Sequence, residues 1–447
     1  MAELVETLSS FNPAERKDAR EQLASIAAFP AENQWVNMHL HTFFSYNGEG
    51  WSPSRIAYEM KKLGLYSAAI CDFDVLEGME EFLEAADLFR LRSAVAMESR
   101  VFFKEYANCD INSPGENGVF YFMGMGFVNR PTPGSDAEKT LSAMLTSSHA
   151  RNRAVIQRIN AKLTEFQLDY DRDVLPLTPK GNATERHIIA AYNALAVKAC
   201  GSVEKAAQAW AALFGTDIAE TVAKAQNTNA FNEFLRGKLI KRGGIGYEKP
   251  TEASFPPLET VIRFILDCRA IPMTAWLDGD SDGEKDPVAQ LECLAAKGVQ
   301  AVNIIPDRNW NFKDDAVKAR KTAALAAYVK AAQALDMPIN VGTEGNKPGQ
   351  RLVDGFDSPE LSPYLQLFNH DAAVFVGHTR LLRFADLSLT DAKCDTIFKN
   401  KKARNSFFAS VGALPCPTLK QLDDLKEMGP EKAFSTISYA AAQGSWD

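Results

Sequence analysis

Short apolar runs alternate with longer amphipathic stretches from Gln34 onward, and the two periods predict strands and helices in turn. Gln34-Trp35-Val36-Asn37-Met38-His39-Leu40-His41 reads as a strand. Ser52-Pro53-Ser54 opens a helix with a hydroxyl cap and a proline in its first turn, and Gly64 can end it in a left-handed cap. A strand over 66–71, a helix over 78–91 and a strand over 94–97 follow, then a strand from Phe120 to Val128. Such alternation is the rhythm of a parallel α/β sheet or barrel. It resumes with helix 258–268, strand 271–276, helix 286–297, strand 299–305, helix 314–335 and strand 338–342.

The rhythm changes from about 136 to 242, where Ala/Leu/Arg-rich helical segments dominate. Gly243-Gly244-Ile245-Gly246 and the Pro-rich stretch 250–257 punctuate its end. Residues 3–29 suggest one or two surface helices. After 350 the pattern predicts a helix near 359–369, a short strand near 373–376 and further helices. The expected organisation is a helical extension (1–33), a first barrel segment (34–135), a helical insertion (136–250), a second barrel segment (251–350) and a C-terminal region packing on the barrel (351–447).

The chain has 447 residues, enough for a large barrel with an added subdomain. Lys+Arg 49 against Asp+Glu 57 leaves a net charge of −8, which disfavours a long nucleic-acid groove while allowing a local basic pocket. No apolar run is long enough to span a bilayer, and Met1-Ala2-Glu3-Leu4 lacks the basic-then-apolar start of a secretory signal. Seven cysteines with no C-x-x-C pair read as reduced thiols. A cytoplasmic protein is expected, with its oligomeric state open.

Only six histidines exist, and two stand as His39-Leu40-His41. On a strand, residues i and i+2 point to one face, and the C-terminal ends of barrel strands are where active sites form. A metal pair of nitrogens is one reading; two histidines bonded to backbone carbonyls is the other. The next strand ends Cys71-Asp72-Phe73-Asp74, whose carboxylates hold a cation or cap a turn and helix. The third ends Met97-Glu98. Three successive strands thus deliver potential ligands at matching ends, which is more specific than any one of them.

In these motifs the sequence resembles the polymerase and histidinol phosphatase (PHP) family: His39-x-His41, Ser45 with glycine soon after, Ile70-Cys71-Asp72-Phe73-Asp74 with Gly78, then Met97-Glu98. The likeness extends to its metal-dependent phosphoesterases with a helical insertion, through Phe120-Tyr121-Phe122-Met123-Gly124, Arg151 and Arg153, Arg186-His187, Arg242-Gly243-Gly244 with Tyr247, Ile271 to Trp276, and Gly342-Thr343-Glu344-Gly345-Asn346. The resemblance implies a distorted (β/α)7 TIM-like barrel and a metal-bound hydroxide attacking phosphorus. It also implies that His39, His41 and Glu98 ligate the first metal, that Glu344 completes this site, and that Asp72 and Asp74 help to hold a second. Arg151, Arg153, Arg186, His187, Asn346 and His378 are the expected substrate contacts, although His378 equally suits a structural role.

The departures are specific. Tyr46 or Asn47 stands near the family's early aspartate, Phe73 and Tyr121 replace two histidines, Trp276 a third, and Asn346 the terminal one. One or two divalent ions (Mn, Zn, Fe or Mg) are therefore expected rather than three. Asp278-Gly279-Asp280-Ser281-Asp282-Gly283 imitates a calcium loop, but Ala289 stands where its bidentate glutamate belongs. The expected activity is hydrolysis of a small phosphorylated molecule or short nucleotide through a metal-activated water. The alternatives are a catalytically degenerate barrel serving as a binding or structural protein, and a metal hydrolase with a non-phosphate substrate.

Overall fold

The computed structural model describes residues 1–446. Seven strands form one sheet in sequence order: β1 (Val36–Leu40), β2 (Ser67–Phe73), β3 (Arg92–Phe102), β4 (Val119–Met125), β5 (Ile271–Trp276), β6 (Ala301–Ile304) and β7 (Ile339–Val341). Just beyond β7 the sheet curls back onto its first strand. Glu344 donates its backbone N–H to the His39 carbonyl (2.7 Å) and accepts from the His41 N–H (2.8 Å). Gly342 permits this approach, because a Cβ there would lie 2.5 Å from both the Asn37 Oδ1 and the His39 nitrogen. The result is a nearly closed α/β barrel.

The expected all-parallel rhythm fails at one strand. β4 runs antiparallel to both β3 and β5. Residues 103–118 are too few to hold a crossover helix, and after a short 3-10 turn the chain simply doubles back. The N-terminal end of β4 therefore sits at the mouth, beside the C-terminal ends of the other six.

The short strand expected near 373–376 is instead the middle of a helix, Leu365–Ala385. This helix stops the bottom of the barrel. Its Asp371 Oδ2 accepts from the Ile339 N–H at the start of β7 (2.9 Å), and its His378 reaches the Gly126 carbonyl just past the end of β4 (3.1 Å). Ala373, Val374, Phe375 and Val376 are all buried in the same apolar cluster as Met38, Cys71, Ala96, Met123 and Met273. A helix surrounded by core loses its polar stripe, and its apolar run then looks like a buried strand.

Helices Asp136–Asn160, Glu185–Cys200, Val203–Phe214, Ile218–Ala225 and Thr228–Leu239 occupy the stretch between β4 and β5. They share a core of their own built on Trp210, Tyr192, Phe231 and Leu239. The first of them spans two cores: Ala137 and Met144 pack with the barrel's outer layer, Ile156 and Ile159 with the inserted helices. No helix among the described residues is long and apolar enough to cross a membrane.

Candidate metal site

His39 and His41 leave the end of β1 on its inner face, and Glu98 leaves β3 two residues beyond Ala96 on the same side. One donor atom from each of the three lies within 4.8 Å of the others, and all three residues are buried. His39 Nε2 and His41 Nε2 stand 3.8 and 3.6 Å from Glu98 Oε2. Neither nitrogen has a hydrogen-bond partner among the described residues.

Two relays fix which nitrogen of each ring is bare. Asn340 donates its amide to the Asn303 Oδ1 (2.9 Å) and to the Met38 carbonyl (3.0 Å). That orients the Asn303 carbonyl oxygen toward His39 Nδ1 at 3.3 Å. An amide oxygen only accepts, so His39 carries its proton on Nδ1. In the second relay Ser45 Oγ gives its single proton to Asp72 Oδ1 (2.6 Å) and therefore accepts from His41 Nδ1 (3.2 Å). Asp72 also accepts from Thr42 through its N–H (2.8 Å) and hydroxyl (2.7 Å), three donors that hold it in the acceptor state. Both imidazoles thus turn Nε2 lone pairs toward one carboxylate.

The electrostatics suit a cation. Burial holds His39 below the ordinary imidazole range, partly offset by nearby Glu344. Burial and the neighbouring His39 push His41 well below it. Burial, reinforced by Glu344, pushes Glu98 well above the usual carboxylate range. Two neutral imidazoles and a buried carboxylate form a donor set of the kind Zn, Fe or Mn takes.

The other expected ligands stand outside this three-residue cluster. Asp72 falls on the face of β2 opposite to Phe73, so it supports His41 through Ser45 and does not join the cluster. Asp74 lies just past the strand in a left-handed conformation (φ 55°) and accepts from Ser99 Oγ (2.7 Å). Glu344 lines the cleft, but its Oε2 accepts from Arg308 Nη2 (2.6 Å) and Asn346 Nδ2 (3.0 Å).

Among the expected substrate contacts, Arg186 and Asn346 line a cleft of about 200 Å³ around His39 and Glu98. Arg186 is ion-paired with Glu233 (2.5 Å) and lies over the Tyr46 ring. His187 accepts from the Thr184 N–H (3.1 Å) as part of a helix cap, and burial lowers it to about 4. Arg151 lines an adjoining cavity, bonded to the Ser254 carbonyl (3.2 Å) and stacked over Phe255. Arg153 is at the surface, paired with Asp171 (2.6 Å). His378 sits at the opposite end of the barrel with both ring nitrogens engaged, one by the Gly126 carbonyl and one by the Leu389 N–H (3.2 Å). Its structural reading fits; a substrate contact does not, because the barrel interior separates it from the cleft.

The aromatic replacements shape the cleft. Phe73 stacks on His41 (4.7 Å, 13°) and meets Tyr121 at 6.0 Å, while Trp276 stacks on Tyr328 (4.5 Å, 12°). Sequence reasoning missed Asn303, Asn340, Arg236 and Arg308. The two asparagines did leave a signal: each interrupts an otherwise apolar run, Ala301-Val302-Asn303-Ile304 and Ile339-Asn340-Val341, and a buried amide needs a reason.

No family model matches the sequence, and no curated protein matches it. Among solved structures the chain is similar to a protein of Bifidobacterium adolescentis provisionally named a metal-dependent phosphoesterase. That match has 17% identity and a TM-score of 0.45, covering 76% of this chain and 98% of that one. It is also similar to an amidohydrolase from Chromobacterium violaceum, solved with sulfate and no metal: 13% identity, TM-score 0.47, covering 75% of this chain and 96% of that one.

Proposed function

We propose that this chain is a metal-dependent hydrolase that cleaves a phosphoester of a small anionic molecule, with His39, His41 and Glu98 holding a divalent ion. The observation that carries the reading is the pair of buried, unpartnered Nε2 atoms facing a buried carboxylate. Leaving such atoms bare costs about 1–3 kcal/mol each, a cost that ligation removes. When bound, the ion supplies Lewis acidity toward a phosphoryl oxygen and lowers the pKa of water.

The chain's own groups do the rest. Asn303 and Ser45 hold the two imidazoles in the tautomer that leaves Nε2 free. Arg186, Arg236, Arg308 and Lys347 line the cleft and favour an anionic substrate. Phe73, Tyr121 and Trp276 present apolar surface that excludes water from one wall.

The test is metal analysis of the purified protein together with an assay against phosphomonoesters and nucleotide bisphosphates. Wild type is expected to carry near-stoichiometric metal and to hydrolyse at least one of them. His39→Ala is expected to lose both. Activity unchanged in that variant rejects the reading. A second reading, a binding barrel without chemistry, is favoured by Phe73 stacked on a ligand histidine. Its signature is a wild-type protein that takes up no ion and gains no thermal stability from added Mn or Zn.

A further inference from the structure

We propose that Arg308 is a catalytic residue of this site. Its guanidinium clamps an oxygen of the anionic group being cleaved, and Glu344 is the carboxylate that positions it rather than a metal ligand. The inference rests on the functional reading above and deepens it.

Arg308 belongs to a 3-10 turn, Pro306–Asn309, that directly follows β6 at the mouth. The turn is tied down from three sides. The buried Asp354 accepts from the Asp307 N–H (3.0 Å), and the Asp307 carboxylate accepts from the Gly355 N–H and the Trp310 indole N–H, both at 2.8 Å. The backbone under Arg308 is therefore fixed before any ligand arrives, which is what a clamp requires.

The guanidinium itself is mostly unspent. It offers five N–H donors, and one hydrogen bond, to Glu344 Oε2, is formed among the described residues. Its side chain is 38% exposed and lines the same cleft as His39 and Glu98. Arg186 and Arg236 are ion-paired as Arg308 is, with Glu233 and Glu185, but their side chains are only 16% and 19% exposed, so less of each faces an incoming anion.

Glu344 is held for this role by the backbone. Its φ of 70° is a left-handed conformation that non-glycine residues rarely adopt. Its own N–H and carbonyl are locked to the two histidines of β1. Strain over-determined in this way marks functional positions. One oxygen of the carboxylate so placed, Oε2, is engaged by both the guanidinium and the Asn346 amide, and Glu344 is absent from the three-residue cluster within ligand reach. A site with one resident ion needs a second positive group for the remaining phosphoryl oxygens, and a planar guanidinium fits them in a bidentate fashion. Arg308 makes and breaks no bond; it offsets charge that grows on the phosphoryl oxygens as the ester oxygen leaves.

The experiment uses the full chain loaded with Mn and inorganic phosphate as the probe, with calorimetry for binding and elemental analysis for metal. Arg308→Ala should retain the wild-type Mn content and melting temperature and bind phosphate at least ~10-fold more weakly. Its turnover should fall about 10²–10³-fold, with partial rescue by added guanidinium ion and little recovery in Arg308→Lys. Glu344→Gln should keep its Mn. The proposal is overturned if Arg308→Ala binds phosphate within twofold of wild type, or if Glu344→Gln loses Mn as His39→Ala does. A wild-type chain that takes up neither Mn nor phosphate would instead reject the functional reading on which it stands.

Discussion

His39, His41 and Glu98 were readable in the sequence because a strand's period of two, together with the shared ends of parallel strands, directs all three to one spot. The same rule explains why Asp72 stands outside that cluster. In Cys71-Asp72-Phe73-Asp74 the inward phase belongs to Phe73, so the aspartate faces Thr42 and Ser45 instead. Arg308 left no trace in the sequence, since its position depends on a turn anchored by Asp354 from a distant loop. Two residue-scale outcomes follow from the relays. Asn303→Leu and Ser45→Ala should each weaken metal affinity about 10–100-fold without unfolding the chain, as read by competition with a chelator. Equal affinity in both would mean the tautomers are not set by these partners.

At the scale of elements, the apolar run Ala373-Val374-Phe375-Val376 could not be told from a buried strand by composition, and only the length of the surrounding pattern separates the two. The reversed direction of β4 was equally hidden, because a strand's sequence does not record its polarity. Helix Leu365–Ala385 presses against helix Lys401–Ala413 so closely that a Cβ on Gly377 would land on the Phe408 carbonyl oxygen. Gly377→Val should therefore lower the melting temperature by several degrees, an overpacking cost of about 1–3 kcal/mol, while metal content per folded chain stays the same. The loop carrying Asp354 makes a pH-dependent element. Burial next to Asp307 raises Asp354 from the ordinary carboxylate value to about 7. An acid whose folded pKa is raised stays protonated in the native state while the unfolded chain has already lost its proton. This contribution therefore falls as pH climbs from about 4 to about 7 and is flat beyond. Asp354→Asn should remove that fall, so denaturant midpoints of variant and wild type should diverge between pH 5 and pH 8 in the variant's favour.

For the whole molecule, an excess of acidic residues coexists with a cleft ringed by Arg186, Arg236, Arg308 and Lys347. The net charge opposes anions at a distance, and on the proposed function these cations, paired in part with Glu233, Glu185 and Glu344, are what an anionic substrate meets at the mouth. Raising salt from 50 to 500 mM should therefore raise KM for an anionic ester several-fold, with a smaller effect on kcat; a KM indifferent to salt would count against the anionic substrate. The α/β barrel and the long helical interruption were legible because they are carried by periodicity over many residues, whereas the contact that closes β1 on β7 was not, because it depends on a backbone turn at Glu344. The helix Asp136–Asn160 finally sets a dimension for the assembly. Being one rigid rod seated in two separate cores, it acts as a strut, and at 1.5 Å per residue and 100° of rotation its length fixes both height and heading of everything above it. Evolution can repaint its outer face freely, but losing or gaining even one residue would swing the inserted helices by about 100° away from the mouth, so descendants of this chain should vary in its letters and keep its count.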